Sequence, residues 1–272
     1  MKKIFSIFLL FFCLLIFSQK KWDLRFYNEL VGSEYVIYAD NSEVMPMSVK
    51  FSFKLINLKS SIANDEIIVI PANTKRFLVA KITPVNAREG NQFSYTTTFN
   101  FGNAAQETFD EDYLYSLPFG KGKTHLIYQG YYGKFSHQKD AALDFDMKIG
   151  DPVYAAREGT VVLTEDSNLQ GCPKISCAKF NNKVLIMHSD GTFADYAHLK
   201  YKGVAVKKGD EIKKGQLIGY SGNTGFSSGP HLHFSVFINR IYGSRTFIKT
   251  KFKTSQGDGI LLEEGKSYTK ND

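Results

Sequence analysis

Two histidines, His231 and His233, flank Leu232 in the segment HLHFSVFI, which continues as apolar chain and predicts a β-strand. Alternate residues of a strand face the same side, about 6.5 Å apart. One imidazole can therefore bind a metal ion while the other lies just beyond the ligands. An H-x-H pair alone is more often two histidines hydrogen-bonded in or near the wall of a β-barrel, so the metal hypothesis requires further donors.

A further pair of donors, His137 and Asp144, lies upstream in the segment SHQKDAALDF. Catalytic zinc usually takes three protein ligands and leaves the fourth position to water, and two histidines with one carboxylate meet that requirement. In the absence of a metal, His137 would be a polar loop residue and Asp144 a turn carboxylate. His198 ends the strand-like run ADYAHL, and all six histidines follow residue 124.

Short runs with a period of two predict a protein made mainly of β-strands. Residues 49–55 and 93–101 alternate between polar and apolar side chains, and residues 66–71 (EIIVIP) predict a buried strand. We therefore predict a β-sandwich-like accessory domain over residues 19–115. Residues 110–119 resemble a connector. Residues 116–272 predict a second β-domain, of sheet or β-barrel-sandwich type, with strands at 183–188, 203–206, 216–220 and 231–238.

The first 18 residues have the layout of a secretory signal peptide: Lys2 and Lys3, the apolar run 4–17, and Ser18 at the expected cleavage point. The run is shorter than the roughly 20 residues that a transmembrane helix requires. An uncleaved anchor and a lipid anchor on Cys13 are the weaker alternatives. We expect an exported protein, periplasmic or secreted, without a stable membrane anchor after cleavage.

The composition excludes some classes of protein. The chain has 272 residues, of which 43% are hydrophobic and 22% charged, which argues against general disorder. The net charge is +7, and removing Lys2 and Lys3 leaves 7 − 2 = +5. No run of Lys and Arg interleaved with aromatics indicates nucleic-acid binding. Cys172 and Cys177 remain after cleavage, either as a disulfide or as two free thiols.

Residues 136–238 resemble the catalytic domain of the lysostaphin-type zinc endopeptidases, which hydrolyse peptidoglycan. The segments that carry the resemblance are SHQKDAALDF, GDPVYAAREGTVV, HSDGTFADYAHL, VKKGDEIKKGQLIGYSGNTG and SSGPHLHF. They cover a little over a third of the chain. Residues 19–115 contain no comparable motif, so the resemblance does not extend to them.

The resemblance implies that His137, Asp144 and His233 hold one Zn²⁺ per chain. It assigns catalytic roles to His231 and to its partner His198. Many members place the aspartate four residues after the first histidine, whereas Asp144 follows His137 by seven. Asp140 is the competing ligand. We favour Asp144 because ALDF, followed by GDPVY, matches the strand entry of the family.

The resemblance predicts an active endopeptidase that acts on the peptide stems or cross-bridges of peptidoglycan, and it leaves the oligomeric state open. One alternative is an inactive family member that acts as a wall-binding or regulatory module, although such proteins usually lack metal ligands. A second alternative is a lipoyl-like carrier, because the glycine turns at Gly150 and Gly209 resemble those of lipoyl domains. The carrier hypothesis gives the histidine motifs no use.

Overall fold

The structure is a computed structural model that describes residues 22–271. The predicted signal peptide, residues 1–18, lies outside this range. Over the described residues the chain forms 24 strands and one 3₁₀ helix, which confirms the mainly β fold class. None of the helical structure in residues 22–271 is long and apolar enough to cross a membrane.

The first seven strands form two sheets that face each other. Their bounds are β1 (Leu24–Val31), β2 (Glu34–Asn41), β3 (Met47–Ile56), β4 (Leu58–Ser60), β5 (Ile68–Ile70), β6 (Thr74–Pro84) and β7 (Gln92–Phe101). One sheet has the order β1-β2-β6-β4 and the other β5-β3-β7. Ile37 and Val79 of the first sheet share a core with Phe51 and Ile70 of the second. Two sheets packed over one apolar core form the sandwich that the period-two runs predict.

The largest sheet contains nine strands from the rest of the chain, and it carries the histidine motifs. Eight strands follow the order β17-β12-β14-β15-β20-β10-β9-β24, and β21 pairs with β20. Their bounds are β9 (Thr124–Gln129), β10 (Ala142–Phe145), β12 (Gly159–Glu165), β14 (Lys183–Met187), β15 (Phe193–Ala197), β17 (Glu211–Ile212), β20 (Leu232–Asn239), β21 (Arg245–Ile248) and β24 (Ser267–Thr269). The sheet is open, because β17 and β24 are its edges.

Three small sheets and the 3₁₀ helix complete the described chain. The sheets have the orders β11-β18-β16, β13-β19 and β23-β22-β8. The remaining elements are β8 (Leu114–Ser116), β11 (Pro152–Tyr154), β13 (Gly171–Cys172), the 3₁₀ helix (Ile175–Phe180), β16 (Leu199–Val204), β18 (Leu217–Ser221), β19 (Gly225–Phe226), β22 (Lys251–Thr254) and β23 (Gly257–Ile260). The principal core joins the nine-stranded sheet to the smaller sheets through residues such as Val153, Ile218, Phe234 and Phe252.

Strand β20 separates this core from the opposite face of the sheet. Leu232, Phe234 and Val236 point into the principal core. Because side chains alternate along a strand, His233 and Phe237 lie on the other face. We call this second surface the site face.

The two regions share an apolar cluster on the site face, in addition to their separate cores. Met47 and Phe101 of the N-terminal strands pack with Phe193 and Phe237 of the large sheet. The rings of Phe101 and Phe193 meet edge to face with centroids 5.1 Å apart. The N-terminal strands therefore cover the end of the site face that lies beyond His233. The predicted boundary between residues 115 and 116 falls within β8, and the division into domains stays a prediction.

Candidate active site

Asp144 and His233 are placed side by side by the pairing of two central strands. In the antiparallel register of β10 and β20, Asp144 lies opposite His233. The Oδ1 atom of Asp144 is 3.0 Å from Nδ1 of His233 and 3.3 Å from Nε2 of His137. The two ring nitrogens are 3.1 Å apart. Three potential metal-ligand atoms, from three positions in the chain, therefore converge on one point of the site face.

His137 reaches this point from the turns that join β9 to β10. Its backbone amide donates to the carbonyl of Gly133, and its carbonyl accepts from the amide of Asp140. A carbonyl only accepts, so the contact of 3.1 Å between Nδ1 of His137 and the oxygen of Gly130 assigns the ring proton to Nδ1. The lone pair on Nε2 then faces Asp144. Asp140 lines the neighbouring cavity but is not part of the convergent group.

Gln129 orients the carboxylate of Asp144 from the adjacent strand. It lies opposite Asp144 in the register of β9 and β10, and its side-chain amide donates to Oδ2 of Asp144 at 2.7 Å. The same amide donates to Oγ of Ser136, while the backbone amide of Ser136 donates back to Oε1 of Gln129. Gln129 is 4% exposed, so water does not substitute for these bonds. The second carboxylate oxygen is thus engaged, and Oδ1 is directed at the two imidazoles.

The spacing and types of the donors fit a small tetrahedral cation. Metal–donor bonds of about 2.0–2.2 Å at tetrahedral angles place neighbouring donors about 3.3 Å apart. The three measured separations are 3.0, 3.1 and 3.3 Å. His137, Asp144 and His233 are therefore able to hold one metal ion.

Two further histidines lie against this group. The rings of His198 and His231 are 4.5 Å apart, and Nε2 of His231 is 3.7 Å from Oδ1 of Asp144. Nδ1 of His198 contacts the carbonyl of Thr224 at 2.7 Å, and Nδ1 of His231 contacts that of Gly229 at 2.8 Å. Both rings must carry their proton on Nδ1 to satisfy these carbonyls, so each has a bare Nε2 that can accept a proton.

Local backbone features hold these two imidazoles. His198 has a φ of 62°, in the left-handed region, directly after β15 ends. Its amide donates to Oδ1 of Asn181, which stabilises this turn. His231 forms an isolated bridge to Gly222, where an added Cβ would lie 2.5 Å from the backbone nitrogen of Lys200. Only glycine fits this close approach beside His231.

The electrostatics of the site favour one carboxylate and two neutral imidazoles. Burial opposes ionisation of Asp144, but the neighbouring imidazoles of His137 and His233 outweigh it and hold the pKa of the carboxyl well below its usual range. Burial, reinforced by the neighbouring His231, lowers the pKa of His198 to about 3. Burial also lowers the pKa of His231. An anionic donor therefore lies beside two uncharged potential bases.

Two cavities involve residues of the site or residues that contact it. One, of about 330 Å³, includes His137, His198 and His233 and continues to Ile175 and Ala178 of the 3₁₀ helix. The other, of about 300 Å³, includes Tyr128, Gln129 and Phe135. Cys172 and Cys177 form a disulfide, as one of the two sequence hypotheses expected, and it closes the loop that carries the start of the 3₁₀ helix. The first cavity therefore borders the convergent group directly, and the second borders Gln129, which contacts Asp144.

All five residues selected from the sequence come together in the structure, and their metal-binding and catalytic roles stay predictions. Sequence reasoning missed Gln129, Asn181 and Thr224, which hold Asp144 and His198 in place. Only the register of β9 against β10 could have indicated Gln129. Thr224 acts through its backbone carbonyl, which has no signature in the sequence.

Two histidines and a carboxylate around an open position, with further imidazoles alongside, characterise the metal-dependent hydrolases as a class. Comparison with known proteins identifies the family. Residues 138–244 match the model of peptidase family M23. This segment of the chain belongs to that family, and the resemblance to the lysostaphin-type endopeptidases is confirmed.

Similar curated proteins include the peptidoglycan DD-endopeptidase ShyA of Vibrio cholerae, 40% identical over 95 residues, which are 35% of this chain and 19% of ShyA. Lysostaphin of Staphylococcus simulans is 39% identical over 119 residues, which are 43% of this chain and 22% of lysostaphin. This chain therefore spans about a fifth of the length of these relatives. Among solved structures, the catalytic domain of lysostaphin from S. simulans is 35% identical, with 43% of this chain and 80% of that chain covered and a TM-score of 0.33.

Proposed function

We propose that this protein is an exported zinc metalloendopeptidase that hydrolyses peptide cross-links of bacterial peptidoglycan. The observation that carries the proposal is the convergence of His137, Asp144 and His233 on one point, next to two imidazoles with bare Nε2 atoms. Membership of residues 138–244 in peptidase family M23 supports it. So do the peptidoglycan endopeptidases among the relatives.

In this proposal Nε2 of His137, Oδ1 of Asp144 and Nδ1 of His233 hold one Zn²⁺. The ionised Asp144 offsets part of the charge of the cation, and Gln129 fixes its orientation. Bound zinc would polarise the scissile carbonyl and lower the pKa of a water molecule toward neutrality.

His198 and His231 would carry out the proton transfers. Nε2 of His198 or of His231 accepts the proton of the attacking water, and the same nitrogen later donates it to the leaving amine. The other imidazole would have to carry a proton on Nε2 to donate to the oxyanion. Because both rings are neutral and both Nδ1 protons are committed to backbone carbonyls, neither ring needs to flip before it accepts a proton.

The test combines metal content with activity on purified peptidoglycan. We expect one zinc per chain and the release of peptide fragments with new amino termini. Both directly cross-linked and glycine-bridged walls should be supplied, because the relatives include DD-endopeptidases and a glycyl-glycine endopeptidase of Staphylococcus capitis. His233→Ala should lose zinc and activity together, whereas His231→Ala should keep zinc and lose activity. A His233→Ala protein with full zinc and full activity would refute the assignment.

The inactive-module alternative is less well supported, because all five site residues are present and lie together. A folded protein that binds peptidoglycan but takes up no zinc would favour it.

We also propose the division of the chain into a signal peptide at 1–18, an accessory β-domain at 19–115 and a peptidase domain at 116–272. Expression of the full chain in a bacterial host should yield a mature protein whose mass corresponds to cleavage near Ser18. A full-length mass in the membrane fraction would contradict the cleavage and favour the uncleaved anchor.

A further inference from the structure

The site face continues past His233 into a charged floor that the proposed chemistry does not use. Asp195 of β15 lies opposite Ser235 of β20, two residues beyond His233 on the same face. Two residues of a strand span about 7 Å. The cavity of about 330 Å³ that includes His233 also includes Asp195, Lys183 and Arg245. This floor therefore borders the space next to the metal ligands.

Asp195 is a buried carboxylate placed beneath two cations. It is 5% exposed. Its Oδ2 atom is 3.4 Å from a guanidinium nitrogen of Arg245 and 3.9 Å from Nζ of Lys183. Burial opposes its ionisation, but Lys183 and Arg245 outweigh this and lower the pKa of its carboxyl. Its Oδ1 atom and Oγ of Ser235 have no hydrogen-bond partner among residues 22–271.

Arg245 is held in position by more than this ion pair. It extends from β21 across the site face, and its guanidinium carbon lies 3.9 Å from the centroid of the Phe237 ring. The side chain of Arg245 remains 29% exposed and that of Lys183 26% exposed. Within residues 22–271 the guanidinium of Arg245 makes one hydrogen bond, to Asp195. The remaining donors of a guanidinium fixed in this way are available to a molecule in the groove.

The charges of this group decide what it can bind. Two cations and one carboxylate leave a net charge of +1 at a partly buried position. Arginine presents parallel N–H groups that match a carboxylate, and burial strengthens such charge-assisted bonds. A substrate ammonium group would meet two cations before it reached Asp195.

We propose that Arg245 and Lys183 form an anion subsite that takes a carboxylate of the peptide substrate about two residues from the scissile bond, with Asp195 as the residue that positions both cations. This inference rests on the proposed function, since it assigns part of the specificity of the same groove. It predicts a preference for peptides with a free carboxylate at that position over the same peptides with a carboxamide.

The experiment measures binding and cleavage separately. Cross-linked peptide dimers are purified from bacterial peptidoglycan, and one portion is converted to carboxamides with carbodiimide and ammonia. Calorimetry on the zinc-loaded His231→Ala protein gives the affinity for both forms without turnover. We expect the acid form to bind at least about tenfold more tightly, as the loss of a hydrogen bond to a charged group implies. Cleavage of the unmodified dimer by the wild-type protein tests the proposed function on its own.

Variants in the same background identify the residues responsible. Arg245→Gln should reduce the preference to about threefold or less and leave the affinity for the carboxamide form unchanged, and Lys183→Gln should reduce it in part. Arg245→Lys keeps the positive charge and should retain an intermediate preference for the acid form. This second variant tests the same position if the glutamine variant does not fold. Lys253→Gln, which removes an exposed cation on a different sheet, is the matched control and should keep the full preference.

Three outcomes would contradict the subsite. Equal binding of the two forms would overturn it, as would a preference that survives Arg245→Gln. Weaker binding after acetylation of the dimer's amines, with no effect of amidation, would show that Asp195 recognises an ammonium group instead. A carboxylate preference in a wild-type protein that cleaves nothing would support the subsite and refute the proposed peptidase activity.

Discussion

Gln129→Leu tests whether the metal site depends on the residue that orients Asp144. The amide of Gln129 donates to Oδ2 of Asp144 at 2.7 Å, and both side chains are almost fully buried. Leucine has a similar volume but no donor, so Oδ2 would be left unpaired. The loss of a buried hydrogen bond to a charged group costs about 1.5–3 kcal/mol, which corresponds to a factor of about 10 to 150 in the dissociation constant for zinc.

The assay is a competition titration against a chromophoric zinc chelator, with circular dichroism to confirm that the variant is folded. Gln138→Leu is the matched control: the exposed side chain of Gln138 donates, among the described residues, only to the carbonyl of Lys134, so its loss should change zinc affinity less than about twofold. If folded Gln129→Leu binds zinc within about threefold of the wild-type protein, the hydrogen bond does not tune the site and our account of Asp144 is wrong.

Three other substitutions address separate features. Asp144→Asn should weaken zinc binding at least about a hundredfold while Asp140→Asn leaves it nearly unchanged, and the reverse order in the chelator titration would identify Asp140 as the ligand. Burial lowers the pKa of His188 to about 4. Between about pH 6.5 and 4 this imidazole is therefore protonated in the unfolded chain but neutral in the folded protein. Stability falls as the pH drops through this window. Urea unfolding at about pH 7 and pH 4 measures the free energy of unfolding that is lost on acidification. In His188→Gln this loss should be smaller by about 3 kcal/mol, and an unchanged pH dependence would contradict the assignment. Replacing Cys172 and Cys177 together by serine should cost at most about 2 kcal/mol, the value for so short a loop, and a larger loss would mean that the disulfide supports more than the 3₁₀ helix.

The sequence predicted those parts of the fold that depend on neighbours in the chain. The alternation in HLHFSVFI indicated a strand, and β20 confirms it at Leu232–Asn239. The runs at 49–55 and 93–101 correspond to β3 and β7, which pair along their full length. The strand expected at 203–206 is displaced to Leu199–Val204, which begins directly after the left-handed backbone at His198.

Long-range pairing was not predictable in the same way. Strand β8 (Leu114–Ser116) lies within the stretch that resembled a connector. It was not predicted because it pairs in parallel with β22, more than 130 residues later in the chain. The same limit applied to Gln129, whose role follows from the register of β9 against β10. Donor types indicated a metal site and the family resemblance selected the candidate ligands, but the groups that orient them are assigned only by tertiary structure.

The apolar cluster on the site face bears on any attempt to prepare the peptidase segment by itself. If the chain were cut after residue 115, Met45, Met47 and Phe101 would be lost, and the rings of Phe193 and Phe237 would be bared to solvent. Large uncovered apolar patches promote self-association. Proteolytic loss of the N-terminal strands should therefore favour self-association of the remaining chain, and a shortened version would require hydrophilic replacements at those two aromatic positions.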